Sequence, residues 1–295
     1  MNKLLKYKVK DFNLKHIFEC GQCFRWISDG SGKYTGVVGQ QVATVHMESN
    51  DTLVINVHLK NPANTACSTQ NELLVSDEYL YDFWYNYFDL GRNYSEIKEA
   101  VAKDDVMKKA IKFGDGIRLL RQDFNELIFS FIISANNRIP RIMKSVEILS
   151  SLYGEKICDI ETHAGIKEYF TFPSIEKLTS LSLEQINQCK AGFRCSYIKN
   201  TAARLVNSDK STDPTKNYLL SLPGVGPKVS DCILLFSGTD YSSFPIDVWV
   251  RRVMENLYFK RPATFKEIAD FAQDYWGCLA GFAQQYLFYY ARENG

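Results

Sequence analysis

Lys228 and Asp247, nineteen positions apart, are the pair in this 295-residue chain whose types and settings could do chemistry. The string Leu222-Pro223-Gly224-Val225-Gly226-Pro227-Lys228 sets two glycines around one apolar residue, which suits a tight turn, and Pro227 suits the first turn of a helix. Lys228 then lies just inside that helix, where the N-terminal dipole and any desolvation oppose its charge. An uncharged amine is a nucleophile able to form a Schiff base with an aldehydic carbon. Asp247, in Phe244-Pro245-Ile246-Asp247-Val248-Trp249, follows an extended turn and precedes an amphipathic helix. If the connection returns the chain, its carboxylate faces the amine across a cleft and stabilises positive charge on the reacting group. Each residue also has a plainer reading. A solvated lysine contacting phosphate accounts for Lys228, and an N-cap worth about 1 kcal/mol accounts for Asp247.

The elements that must position this pair are predominantly helical. Asp123–Ser134 is apolar almost all round and predicts a buried helix; further helices are expected at Arg141–Leu152, Ile175–Leu181, Tyr197–Val206, Tyr218–Leu222, Pro227–Phe236, Val248–Tyr258, Phe265–Tyr275 and Gly281–Glu293. The first part of the chain differs. Tyr34–His46 and Leu53–His58 alternate with β-branched residues around the turn formers Ser49-Asn50-Asp51, and a short aromatic helix is expected at Tyr79–Phe88. The fold class is therefore α+β: an N-terminal antiparallel β-sheet domain with a few helices over 1–98, then an all-α domain over 99–295 with the hairpin and loop at about 216–252.

Composition narrows the class. Hydrophobic residues at 45% and charged residues at 23% exclude a disordered or fibrous chain. No run of eighteen apolar residues occurs, and Met1–Lys8 lacks the apolar core of a secretory signal, so an intracellular, cytoplasmic protein is expected. A net charge of +1 confines any nucleic-acid surface to a local patch. Cys20 and Cys23 have a CxxC spacing that no second pair answers, and Cys67, Cys158, Cys189, Cys195, Cys232 and Cys278 are scattered. That pattern predicts neither structural zinc nor an iron–sulfur cluster, and reduced thiols instead.

Adjacent backbone amides at a helix N-terminus attract phosphate without many basic side chains. The L-P-G-V-G-P-K string is the signature of a helix-hairpin-helix, a sequence-independent binder of the DNA backbone. With F-P-I-D-V it resembles the helix-hairpin-helix DNA glycosylase superfamily. Four further stretches resemble the 8-oxoguanine DNA glycosylase/AP lyase family: Gly21-Gln22-Cys23-Phe24-Arg25, Ser134-Ala135-Asn136-Asn137-Arg138-Ile139-Pro140-Arg141, Gly192-Phe193-Arg194 and Ala280-Gly281-Phe282-Ala283-Gln284. They occur in the family's order and span most of the chain.

The resemblance implies a function and roles for the matching positions. Lys228 would be the nucleophile and Asp247 the essential carboxylate of a bifunctional enzyme. It would flip out and excise 8-oxoguanine opposite cytosine and nick the strand by β-elimination. Gly21 would offer its carbonyl to the N7 hydrogen that guanine lacks, Cys232 and Phe288 would sandwich the base, and Gln284 would read its Watson–Crick edge. Asn136, Arg141 and Arg194 would engage the widowed cytosine with Phe193 as a wedge, while Gly224, Val225 and Gly226 would bind backbone phosphate. Double-stranded DNA is the expected partner, the protein is expected to act as a monomer, and no cofactor is called for beyond a cation at the hairpin. A glycosylase for another damaged base and a non-catalytic helix-hairpin-helix module are the alternatives. Two positions depart from eukaryotic members: Trp249 stands where a histidine is expected and Ala291 where its acidic partner would be, so Trp249 is expected to pack or stack there; the N-terminal region is also shorter, which suits a prokaryotic form.

Overall fold

The computed structural model describes residues 2–59, 76–162, 165–207 and 215–294. Cys67 lies outside them. The N-terminal part runs β1 (Asn2–Lys8), α1 (Leu14–Glu19), β2 (Trp26–Ser28), β3 (Tyr34–Val38), β4 (Gln41–Ser49), β5 (Thr52–His58) and α2 (Asp77–Tyr87). Its antiparallel sheet has the order β1-β5-β4-β3-β2, with Leu5 opposite Ile55 and Tyr7 opposite Leu53. Alternation places Leu5 and Tyr7 on the buried face of β1, against Trp84 and Phe88. The stretch Tyr34–His46 is a hairpin, since Gly39 takes a φ of +58 between β3 and β4.

The helical part comprises α3 (Tyr94–Val101), α4 (Asp105–Phe113), α5 (Phe124–Ser134), α6 (Ile139–Tyr153), β6 (Lys156–Thr162), β7 (Gly165–Phe170), α7 (Ile175–Ser180), α8 (Leu183–Asn187), α9 (Arg194–Leu205), α10 (Lys216–Leu220), α11 (Pro227–Phe236), α12 (Val248–Val253), α13 (Phe265–Trp276) and α14 (Ala280–Asn294). Asp123 caps α5 through the Glu126 amide, and Leu127 to Ile133 are all buried, as an all-round apolar helix requires. A π-helical turn, Met254–Phe259, extends α12, so the single helix expected over Val248–Tyr258 changes pitch halfway.

One element breaks the helical series. The β6–β7 hairpin lays Ile157 and Tyr169 on Val37 and Val42 of the N-terminal sheet. Its short strands bury few side chains among many charged ones, so their sequence carries little periodic signal. Arg25 pins the same junction. Its Nη2 donates to the Phe170 carbonyl at 2.5 Å and its Nη1 lies 3.6 Å from Glu126, whose carboxyl burial pushes above the usual range.

A further crossing serves the site. Cys20 and Phe24 sit in the large helical core, not in the core beneath the sheet. The segment between α1 and β2 thus straddles the two cores, with Cys23 kept beneath the sheet. Phe24 meets Phe131 of α5 edge-on at 5.4 Å between ring centres, and Phe131 stacks on Phe236 of α11 at 5.5 Å.

Candidate active site

The turn before α11 folds as its glycines dictate. Gly224 takes a φ of +81, and a Cβ there would lie 2.7 Å from the Tyr197 ring, so the position excludes a side chain twice over. The Val225 amide donates to the Leu222 carbonyl at 3.1 Å and its side chain is buried, so of the three hairpin residues this one turns its amide inward. Gly226 is exposed and caps α11; beyond it, Lys228 and Val229 carry first-turn amides with no carbonyl one turn back.

Lys228 follows, half-buried, with its Nζ 5.2 Å from the centre of the Phe131 ring. One turn along α11, Cys232 is 3% exposed and neighbours Lys228, whose charge offsets part of the burial of its thiol. Burial pushes the Cys232 thiol up to about 11, so it is a neutral neighbour and not a thiolate. Asp247 caps α12: its Oδ1 accepts from the amides of Trp249 at 3.0 Å and Val250 at 2.9 Å. Burial raises its carboxyl, while the Val250 amide and the charge of Lys228 pull it back. The plain reading of Asp247 as an N-cap is observed, and it leaves the carboxylate within the influence of Lys228. One oxygen caps the helix, and the same carboxylate shares a field with the lysine.

Helix α14 brings the other parts together along one face. The Gly281 amide donates to the Tyr241 carbonyl at 2.9 Å; a Cβ there would lie 2.8 Å from the same oxygen, so only glycine lets the helix approach the loop before Asp247 this closely. Gln284, 4% exposed, donates its Nε2 to the Pro245 carbonyl at 3.0 Å, and its Oε1 has no partner. Phe288 packs on Gly21, where an added Cβ would stand 3.0 Å from the ring. Gly21 itself takes a φ of +81.

The turn around Gly21 is braced on both sides. The Cys20 carbonyl accepts from Gln285 Nε2 at 2.7 Å and the Glu19 carbonyl from Arg292 Nη2 at 2.5 Å. The Gln22 carbonyl accepts from Gln122 Nε2 at 2.9 Å, and the fully buried Gln22 side chain bonds Ile17 O, Arg118 O and Leu120 N. Among the described residues, no donor reaches the carbonyl of Gly21. Its neighbours are tied and it is free.

The remaining predicted residues cluster on another edge. Phe193, 61% exposed, opens α9 and has the Arg194 guanidinium 4.3 Å from its ring centre. Arg194 is buried and donates to the carbonyls of Ala191, Ala135 and Asn136, so in this state it holds the Asn136 turn and does not point outward. Asn136 is exposed with a φ of +48, and Arg141 is exposed and close enough for its charge to add to burial in disfavouring the Arg194 cation. Trp249 is half-buried on the helical core beneath Arg252, 5.2 Å from its ring centre, and Ala291 is buried. Phe131, Gln285 and Arg292 are neighbours of the site that the motif strings do not reveal. Adjacent glutamines inside the apolar run of α14 were the available signal, because a buried polar side chain needs a specific partner.

Among the described residues no His, Cys, Asp and Glu side chains gather as metal ligands, and no helix is long and apolar enough to cross a membrane. The cysteines described there are free; Cys278 is exposed, Cys158 half-buried, and the others are buried.

A helical domain with a glycine hairpin, a lysine and a capping aspartate, docked on an antiparallel sheet, defines a class. The family model for the 8-oxoguanine DNA glycosylase N-terminal domain matches residues 4–128, and that for the HhH-GPD superfamily base excision DNA repair protein matches 129–278. The N-glycosylase/DNA lyase OGG1 of Arabidopsis thaliana is 30% identical over 96% of this chain and 78% of its own. Among solved structures, MBOgg1 with a low-affinity DNA ligand is 43% identical, with a TM-score of 0.85 over 98% of this chain and 96% of its own. The Clostridium acetobutylicum 8-oxoguanine glycosylase/lyase, bound to duplex DNA with cytosine opposite 8-oxoguanine, is 40% identical, with a TM-score of 0.83 over 100% of this chain and 98% of its own. The chain belongs to the HhH-GPD superfamily of base excision DNA repair proteins, as an enzyme of its N-glycosylase/DNA lyase branch.

Proposed function

We propose that this enzyme excises 8-oxoguanine opposite cytosine from duplex DNA and then nicks the strand. The observation that carries the substrate reading is the untied carbonyl of Gly21, a residue packed against the ring of Phe288. The N7–H of 8-oxoguanine donates to it; guanine presents a lone pair there and leaves both acceptors unpaired in a buried site. The base must first leave the duplex. It then lies between Phe288 and the neutral Cys232, and the free Oε1 of Gln284 accepts from its Watson–Crick edge.

The chemistry falls to Lys228 and Asp247. The Lys228 nitrogen attacks C1′ as the glycosidic bond breaks, and the base departs with the bonding pair and takes up a proton. The Asp247 carboxylate stabilises the positive sugar in the transition state. Ring opening gives a Schiff base on Lys228; loss of a C2′ proton then expels the 3′ phosphate by β-elimination. Phe193 fills the gap and Asn136 and Arg141 meet the cytosine, with Arg194 acting through the Asn136 turn it holds. Gly224, Val225 and Gly226 carry the hairpin whose free amides grip phosphate. The chemistry needs no resident cofactor; a hydrated cation shared by the hairpin and a phosphate is the one inorganic partner proposed. The enzyme acts as an intracellular monomer on chromosomal DNA.

Borohydride trapping tests this on duplexes carrying 8-oxoguanine opposite each of the four bases. Wild type forms a reduced covalent adduct, most with cytosine opposite, and Lys228→Gln forms none. An adduct with Lys228→Gln overturns the nucleophile; trapping confined to abasic DNA overturns the substrate.

A further inference from the structure

We infer that Gln285 and Arg292 are positioning residues for base selection: by tying the two carbonyls before Gly21 to the helix that carries Phe288, they fix the height of the Gly21 carbonyl over the base pocket. The inference rests on the proposed reading of Gly21 and goes beyond it, because neither side chain touches the base.

Selection by one hydrogen bond is demanding geometrically. The acceptor must sit about 2.9 Å from the N7 nitrogen and in line with its hydrogen, since the bond weakens steeply when bent. A glycine carbonyl in an unrestrained turn could rotate away and accept a water instead, and guanine would then enter at little cost. The observed turn removes that freedom. Gln285 is 1% exposed and donates to Cys20 O at 2.7 Å; Arg292 donates to Glu19 O at 2.5 Å. Both lie on α14, one and eight positions beyond Gln284 and on either side of Phe288 in sequence. The floor of the pocket, its edge reader and the two restraints on its carbonyl thus belong to one rigid helix. The restraints cross about 265 residues of sequence, so nothing local duplicates them.

Arg292 is suited to the task by its surroundings. Its guanidinium lies 5.5 Å from the ring centres of Phe288 and Tyr289, while Nε and a second contact at 2.7 Å engage Glu293. Its Nη1 is buried, without a partner, and stands 3.3 Å from where a Gly21 Cβ would be. On the other flank, Gln122 and the multiply bonded Gln22 side chain hold the chain after Gly21. The carbonyl is free to accept and not free to move.

The test measures duplex affinity in the Lys228→Gln background, where no turnover intervenes, for 8-oxoguanine and for guanine opposite cytosine. Gln285→Glu is isosteric but opposes an acceptor to Cys20 O. It should narrow the 8-oxoguanine to guanine affinity ratio about tenfold, by weakening 8-oxoguanine binding and leaving the phosphate-driven affinity for undamaged duplex within about twofold. Arg292→Ala should narrow the ratio similarly, and Arg292→Lys, which keeps one donor for Glu19 O, should restore most of it. An unchanged ratio in Gln285→Glu and Arg292→Ala overturns the inference, as does a parallel loss for both duplexes, which marks a merely structural role. If the Lys228→Gln parent itself fails to distinguish the two duplexes, it is the reading of Gly21 that falls.

Discussion

The two halves of the candidate site are built on opposite plans. Lys228, Cys232 and Asp247 come from one short stretch, a hairpin, a helix and a capped second helix, and their mutual arrangement follows from local turns. The Gly21 turn has almost no local support beyond α1. Its bonds run to Arg118, Leu120 and Gln122 about 100 residues away and to Gln285 and Arg292 about 265 to 273 away. A unit that must supply a nucleophile and a charge can be local, because its groups need only meet. On the proposed function, a unit that tells two bases apart by one proton needs an acceptor that cannot yield, and these long-range bonds are its bracing.

This contrast can be broken at the catalytic side first. Asp247→Asn keeps an N-cap, since asparagine accepts the Trp249 and Val250 amides equally well, but removes the negative charge. Base release should fall by a factor on the order of 10²–10³, the scale of losing one preorganised electrostatic group. Single-turnover excision on 8-oxoguanine duplex and strand cleavage at a preformed abasic site should both decline. A loss confined to the base-containing duplex would move Asp247 from the chemistry to recognition.

The recognition side should fail differently. Gly21→Ala adds a methyl group against the Phe288 ring at a φ of +81, where an L residue is strained by roughly 1–2 kcal/mol. Excision of 8-oxoguanine should drop on the order of tenfold to a hundredfold, with abasic-site cleavage falling far less. Equal losses on both substrates would mean that the Gly21 turn supports the fold and not the choice of base.

What the sequence disclosed follows the same division. Helix α11 occupies Pro227–Phe236 as its Gly-Pro start predicts, and Lys228 with Asp247 could be singled out from turn and cap chemistry alone. The antiparallel sheet was likewise legible from alternation, though the Gly39 turn that splits Tyr34–His46 into two strands was not read. The bracing of Gly21 was illegible because hydrogen-bond partners hundreds of residues apart leave no periodic trace. Phe131 beneath Lys228 was hidden for another reason: in a helix buried all round, no position stands out as facing a site. Arg194 is expected to engage the cytosine, and its bonds to three carbonyls of neighbouring turns are a further arrangement that no spacing announces.

Arg141 offers a smaller effect. It is exposed beside Arg194, whose own donors are engaged, so it is the guanidinium of this pair that can meet a new partner. Arg141→Ala should narrow the preference for cytosine opposite the lesion about tenfold, within the roughly 1–3 kcal/mol that one good base contact contributes. Excision rates against the four opposing bases measure it. A preference kept intact would assign cytosine reading to Asn136 and Phe193 alone.

The smallest effect returns to Asp247 and concerns stability. Burial raises its carboxyl above the ordinary value of 3.8, the Val250 amide and Lys228 offsetting only part of the desolvation. A carboxyl raised in the folded state binds protons more tightly there than in the unfolded chain. The stability linked to it is therefore fully present below the unfolded value and lost as pH rises through the folded one. At neutral pH the wild type carries an uncompensated part of that charge burial, which Asp247→Asn removes while retaining the cap. The variant should accordingly be as stable as wild type or slightly more stable at pH 7, by less than about 1 kcal/mol given the half-exposed setting. Its advantage should shrink as pH is lowered toward 4. Urea midpoints for both proteins across that range check the sign. An advantage that grows on acidification would mean that Lys228 and the two amides outweigh burial, and that the ionised carboxylate is a stabilising part of the folded site.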